Sequence, residues 1–391
     1  MYGCMTQPQH DNLPRRSRIT TLSVRRRRRA VLAILLAGAL SPLLAERPQN
    51  APAAAAETRS LPRVHFVATG GTISNRDGGR LTAAELAKSM PGVERYAELS
   101  HEQFTNVASS ELRLKDWLAL SKRINEIFTG DKDLAGIVVT SGTDTLEETA
   151  FFLHLTVRDQ RPVVVVGSMR NPSTVGYEGA ANLLEGVRVA ADKQSRNQGV
   201  LVVLNDEINS ARNVTKTDAL RVHTFRSREF GQLGVVDRDR VVFFNQITQR
   251  HNEQVEFDVT KITELPRVDV IMVYQDAAGD LIKAAVDLGA KGIVIAVAGA
   301  GATSGTQGEG LAYAASKGVF IVTSTRTGSG RIAPPRTDMP ANFRPSPEQQ
   351  RRRQFTIAGE DHIPVKARVL LMLALTKSNS RDEIQRIFSE Y

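Results

Sequence analysis

The chain has 391 residues, 41% of them hydrophobic and 24% charged, with one cysteine and a net charge of +9. That composition is ordinary for a globular protein, and the length exceeds the ~250–300 residues a single core fills, so two domains are expected. Eight arginines in residues 1–45 (Arg15, Arg16, Arg18 and Arg25 to Arg29) against Asp11 carry seven of the nine charges; the remainder has no basic stripe for phosphate contacts, which argues against a nucleic-acid partner.

The first element is a leader. Arg25 to Arg29 precede the apolar run Ala30 to Leu40, Pro42 breaks it, and small residues occupy 51–56. A positive segment and then a short apolar one read as a secretory signal within 1–56. The run is shorter than the ~20 residues of a permanent span, although an uncleaved anchor is the alternative. Arg15-Arg16 suggests a twin-arginine signal, but the residues after this pair fit that pattern poorly. Export to the periplasm or beyond, with no stable membrane anchor after processing, is the expectation. Cys4 would leave with the leader, so the mature chain would have no disulfide. The seven histidines show no ligand spacing, and no metal site is expected.

From residue 61 short apolar runs alternate with longer amphipathic stretches, the mark of βαβ units. Strands are expected at 63–68, 136–140, 162–167, 199–204, 268–274, 292–297 and 318–323. Helices are expected at 82–89, 114–128, 145–157, 177–193, 279–288, 306–316, 364–375 and 380–388. Val163 to Val166 is apolar on both faces, as in the middle of a doubly covered sheet. The rhythm breaks at 247–267, which reads as a linker. The fold class is therefore α/β: two domains with mainly parallel sheets covered by helices, a larger one at 61–250 and a smaller one at 266–391. The stretch 326–354 reads as a long loop, with Arg351 to Arg353 a solvated turn.

Two threonine-glycine segments stand at strand ends: Ala68-Thr69-Gly70-Gly71-Thr72-Ile73 and Thr140-Ser141-Gly142-Thr143-Asp144-Thr145. Neither the first nor Gly299 to Gly305 has the lysine-threonine ending of a phosphate loop or the spacing of a dinucleotide loop. A threonine hydroxyl is a poor nucleophile without a nearby base. Lys216, in the loop after strand 199–204, is expected at the same carboxyl edge as Thr143 and Asp144. There it is either one half of an ordinary ion pair or part of a proton relay. Backbone N–H groups of the Gly70-Gly71 and Gly142 turns are candidate oxyanion donors.

Together with Val166-Gly167-Ser168-Met169-Arg170, Val214-Thr215-Lys216-Thr217 and Lys366-Ala367-Arg368-Val369-Leu370-Leu371, these blocks resemble a bacterial L-asparaginase of the two-domain, homotetrameric type over about 61–391. The resemblance implies cofactor-independent hydrolysis of a small-molecule side-chain amide to a carboxylate and ammonia. It makes Thr72 the nucleophile and Thr143, Asp144 and Lys216 a second triad. Asp144 would also hold the substrate amino group, Ser109 its carboxylate, and the backbone at Ser168 its amide, with Gly71, Gly142 and Ser110 completing the pocket. Departures from the family pattern are also present. Ser110 and then Glu111 stand where glutamine or glutamate usually comes after the serine. No tyrosine occurs in 74–88, and Tyr96 and Tyr177 lie outside that loop. Ala300 occupies an asparagine position, and a glutamate reaching a neighbouring subunit is not assignable in 326–354. Competing readings are a glutaminase-asparaginase of mixed specificity, a glutamine-dependent tRNA-amidation component, and a catalytically weak amino-acid binding protein.

Overall fold

The computed structural model describes residues 60–335 and 344–391; the leader and Cys4 lie outside them. The larger domain begins with β1 (Arg63–Gly70), the small pair β2 (Asn75–Arg76) and β3 (Gly79–Arg80), α1 (Ala83–Lys88), β4 (Glu98–Val107) and α2 (Leu114–Gly130). It continues with β5 (Leu134–Thr140), α3 (Leu146–Thr156), β6 (Val163–Val166), α4 (Gly179–Ala191), β7 (Val200–Leu204) and β8 (Glu207–Ser210). A second small pair, β9 (Thr215–Lys216) and β10 (Phe225–Arg226), precedes β11 (Gly234–Val236) and β12 (Val241–Phe243). The smaller domain contains β13 (Val268–Met272), α5 (Asp280–Asp287), β14 (Gly292–Val297), α6 (Gln307–Ser316) and β15 (Phe320–Thr325). After these come α7 (Pro347–Phe355), β16 (Thr356–Ala358), α8 (Pro364–Lys377) and α9 (Arg381–Glu390).

The large sheet has the order β12-β11-β8-β7-β6-β5-β1-β4. Its five strands from β7 to β4 run parallel, and β8, β11 and β12 add an antiparallel edge. The small sheet, β13-β14-β15-β16, is parallel throughout. Side chains alternate across the large sheet as the two-residue period of a strand requires. Val64, Phe66, Val138, Val164 and Val166 pack with Leu183 and Val187 of α4. Val67, Ile137, Val139, Val163 and Val165 pack on the other face with Ile124 of α2 and Leu153 of α3. That double cover explains the unbroken valine run of β6.

Several elements differ from the expectation. β4 is not among the expected strands: with its mixed sequence Glu98-Leu99-Ser100-His101-Glu102 it is an edge strand, supported by pairing with β1 rather than by an apolar period. The antiparallel edge strands β8, β11 and β12 escape the sequence pattern for a related reason, since each has only three or four residues. β8 is joined to β7 through Asn205 and Asp206, at φ 56° and 64°, the mirror-image turn of a two-residue hairpin. The arginines of 351–353 lie in α7, not in a turn; Ser346 caps that helix through the Gln349 N–H, and Pro347 occupies its first turn. Residues 247–267 contain little regular structure, yet Val255, Phe257, Val259, Ile262 and Leu265 are buried in one core with Trp117 and Phe152 of the larger domain and Leu371 and Phe388 of the smaller one. The connector is thus packed between the two domains.

Candidate active site

Four strand ends of the large sheet, those of β1, β4, β5 and β6, meet at one place, the carboxyl edge where α/β sheets offer a cleft. β1 ends at Gly70 and Gly71, whose φ values of 103° and 90° are left-handed and suit glycine. A Cβ on Gly71 would lie 2.3 Å from the Gly142 nitrogen, and one on Gly142 would lie 2.8 Å from Ser109 Oγ. The turns bearing Thr72, Thr143 and Ser109 are therefore in van der Waals contact through backbone that has no side chains to keep it apart. The fourth strand, β6, joins through Gly167, where a Cβ would stand 3.3 Å from Thr143 Cγ2.

Threonines not assigned to chemistry hold this junction. The Thr69 N–H donates to Thr140 Oγ1 at 3.0 Å, and Thr69 Oγ1 donates to the Thr140 carbonyl at 2.5 Å. These side chains lock β1 to β5 where their main-chain ladder ends. The Gly71 N–H donates to the Val107 carbonyl at 2.8 Å, tying the turn to β4 on its other side.

Thr72 is half-buried and opens a one-turn 3₁₀ segment, Thr72–Ser74. Thr143 is buried. Lys216 reaches across from β9, its Nζ donating to Thr143 Oγ1 at 3.1 Å and to Asp144 Oδ1 at 2.9 Å. The Lys216 side chain is 15% exposed and that of Asp144 is 74% exposed, so the ammonium faces inward while the carboxylate faces the cleft. Thr143 to Thr145 precede α3, whose N-terminus adds a partial positive charge.

Ser109 is buried, and its Oγ accepts the Thr145 N–H at 3.3 Å, placing it beside the Thr143 turn. Ser110 and Glu111, in the same 3₁₀ turn as Ser109, are exposed. Ser168 is fully buried, with its hydroxyl donating to the Arg170 carbonyl at 2.6 Å. Ala300 lies in an exposed loop after β14.

One expectation is corrected. Tyr177 is not remote from the turn bearing Thr72: its phenol donates to the Ile73 carbonyl at 2.8 Å across 104 residues of sequence. Tyr96 does lie elsewhere, beneath the guanidiniums of Arg95 and Arg188. Sequence reasoning also passes over Arg80, whose Nη1 donates to the Gly71 carbonyl at 3.1 Å, and Asn106, which meets the Ser74 hydroxyl at 3.2 Å. Nothing in the local sequence signals these contacts, because each depends on a strand, β3 or β4, being brought beside the turn.

Over most of its length the chain is similar to known proteins. The family profile described as "Asparaginase, N-terminal" matches residues 63–249, and that described as "Glutaminase/Asparaginase C-terminal domain" matches 267–388. The chain is similar to L-asparaginase 2 of Bacillus subtilis (strain 168), 42% identical over 357 residues that cover 89% of this chain and 91% of the relative. It is similar to L-asparaginase 2 of Escherichia coli (strain K12), 37% identical over 85% of this chain and 94% of the relative. A solved structure described as "Probable Cytoplasmic L-asparaginase", from Campylobacter jejuni, superposes with a TM-score of 0.75 at 38% identity, covering 85% of this chain and all of that one.

Proposed function

The chain belongs to the asparaginase family, and from that premise we propose that it hydrolyses L-asparagine to L-aspartate and ammonia. Thr72 Oγ1 attacks the side-chain amide carbon, giving a tetrahedral oxyanion held by backbone N–H groups of the turns that carry Thr72 and Thr143. The C–N bond then breaks, ammonia leaves with the proton relayed from the threonine, and an acyl-enzyme remains. Water attacks this ester, returning a proton to Thr72 and releasing the carboxylate. Thr143, Lys216 and Asp144 relay the protons. Asp144 holds the substrate amino group, Ser109 and Ser110 its carboxylate, and the Ser168 backbone its amide.

The observation that carries this reading is the Lys216 ammonium within hydrogen-bonding distance of both Thr143 and Asp144. Thr72→Ala and Thr143→Ala are each expected to remove ammonia release from asparagine while the circular dichroism and melting curve stay native. Full activity in both variants would sink the mechanism. A panel of L-asparagine, L-glutamine, D-asparagine and small β-aspartyl amides on the leaderless protein measures the specificity.

The reading extends to organisation. Domains at 61–250 and 266–391, a homotetramer, and export directed by the leader belong to it. Support comes from the resemblance and from the arginine-then-apolar order of the leader. Light scattering on the purified protein tests the assembly, and fractionation of cells producing the full chain tests the export.

A further inference from the structure

The turn that carries Thr72 has an external support with no counterpart in its own strand. Each carbonyl from Gly71 to Ser74 accepts a hydrogen bond. That of Gly71 takes Arg80 Nη1 at 3.1 Å and Ser74 Oγ at 3.0 Å, that of Thr72 takes the Asn75 N–H, and that of Ser74 takes the Leu81 N–H at 2.7 Å. All of these donors come from the turn itself or from the β2–β3 hairpin next to it in the chain. The Ile73 carbonyl is different: its donor is Tyr177, from the loop between β6 and α4.

That loop is built to hold a fixed point. Met169 N–H meets the Glu178 carboxylate, Arg170 Nη1 donates to the Gly176 carbonyl at 2.9 Å, and Asn171 Oδ1 accepts both the Ser173 N–H and the Thr174 hydroxyl. The Tyr177 N–H donates to the Thr174 carbonyl at 3.1 Å. Its ring folds back over the start of α4, in space that exists because residue 179 is glycine: a Cβ there would lie 2.3 Å from the phenol oxygen. The same loop meets the hairpin a second time, where the Asp77 N–H donates to Ser173 Oγ at 2.9 Å. Burial raises the phenol above its ordinary value, so it remains a donor throughout the neutral range.

We propose that Tyr177 is a positioning residue for the reaction: by holding the Ile73 carbonyl it fixes the pitch of the turn, and with it the direction in which Thr72 Oγ1 faces the amide carbon. The proposal rests on the reading of Thr72 as the nucleophile. A phenol on a carbonyl is a modest interaction for stability, but a nucleophile misplaced by about 1 Å loses roughly a hundredfold in rate. The effect therefore belongs in kcat rather than in folding.

The test uses Tyr177→Phe, which removes only the hydroxyl, and Gly179→Ala, which displaces the ring. Expected is a fall in kcat of roughly 10- to 100-fold with KM within about twofold, and a melting temperature lowered by no more than about 2–4 °C. The double variant should be no slower than the worse single one, because both changes break one contact. Wild-type kcat in Tyr177→Phe overturns the proposal, as does a fall in kcat/KM that comes entirely from KM, which would mark direct substrate contact. Should Gly179→Ala fail to fold, Tyr177→Phe decides alone. Thr72→Ala serves as the control: inactive Thr72→Ala beside fully active Tyr177→Phe refutes the positioning role only, whereas active Thr72→Ala refutes the nucleophile and this proposal with it.

Discussion

Lys216 presents an ion pair whose two ends have unequal surroundings. Its ammonium is largely buried, whereas the Asp144 carboxylate it meets is mostly exposed. A pair whose carboxylate stands in solvent is screened and contributes about 0–1 kcal/mol to stability, so holding the fold together is a poor account of the arrangement. Lys216→Met keeps the stem and removes the charge. A relay role predicts a fall in kcat of roughly 10²–10⁴-fold with a nearly native melting curve. An ordinary ion pair predicts the reverse, a small shift in stability at unchanged kcat; ammonia-release kinetics beside calorimetry separate the two. The residues of this contact are legible from sequence because chemistry selects them: a lysine, an acid and a threonine near strand ends. Tyr177 is not, since its partner is a backbone carbonyl, which every residue has.

Among the elements, the strand-end turns are the most tightly constrained. With φ at +90° and Gly142 2.3 Å from the position of a Cβ, Gly71 has no room for a methyl group. Gly71→Ala is expected to destabilise by about 1–3 kcal/mol or more and to abolish activity, measured by denaturant titration and ammonia release. A second constraint joins the domains. Lys366, on α8, is 2% exposed and its ammonium donates to the carbonyls of Ala211 and Arg212, both at 2.9 Å, and of Val214. Those carbonyls lie just ahead of β9, which carries Lys216. Lys366→Met would leave three buried acceptors without their donor, at about 1–3 kcal/mol each, so a loss of at least ~3 kcal/mol is expected in chemical denaturation. The helices with a clear apolar face are readable from their period. α7 is not, for Arg351-Arg352-Arg353 shows no face, and capping together with packing on α6 makes it a helix.

Across the whole molecule, the interface between domains sets the response to acid. His362 is buried between Phe151 and Phe388, and desolvation, with Arg212 adding to it, holds the imidazole down to about 3. His154, whose Nδ1 accepts the Val200 N–H, is likewise buried and held well below its ordinary value. Asp361 is held at about 2: burial opposes ionisation, but the paired Arg212 guanidinium overcomes it, at 2.7 Å on each oxygen. In all three the unfolded chain binds the proton more readily, so their contribution is complete above the ordinary histidine value of about 6.5. It is lost as pH falls, first through the two histidines and then, below about 4, through Asp361. Melting temperature is expected to decline steadily below about pH 6.5, and His362→Gln should flatten the first part of that decline. An unchanged slope in the variant would show that His362 binds its proton equally in the folded and unfolded chain, against this account. Glu185 acts oppositely: burial and the neighbouring Asp206 raise it to about 8, and its contribution fades as pH rises towards that value.

The sequence by itself determined the parallel α/β class, the helices with an apolar face, the buried valine strands and the candidate Thr72, Thr143, Asp144 and Lys216. Each depends on a local period or on the chemistry of a side chain. Only the tertiary structure decided that β4 is a strand, that 247–267 is packed rather than loose, and that Tyr177 and Lys366 support the segments bearing Thr72 and Lys216. Those features depend on partners distant in the chain or on the pairing of backbone groups. A backbone carbonyl carries no side-chain identity for the sequence to display.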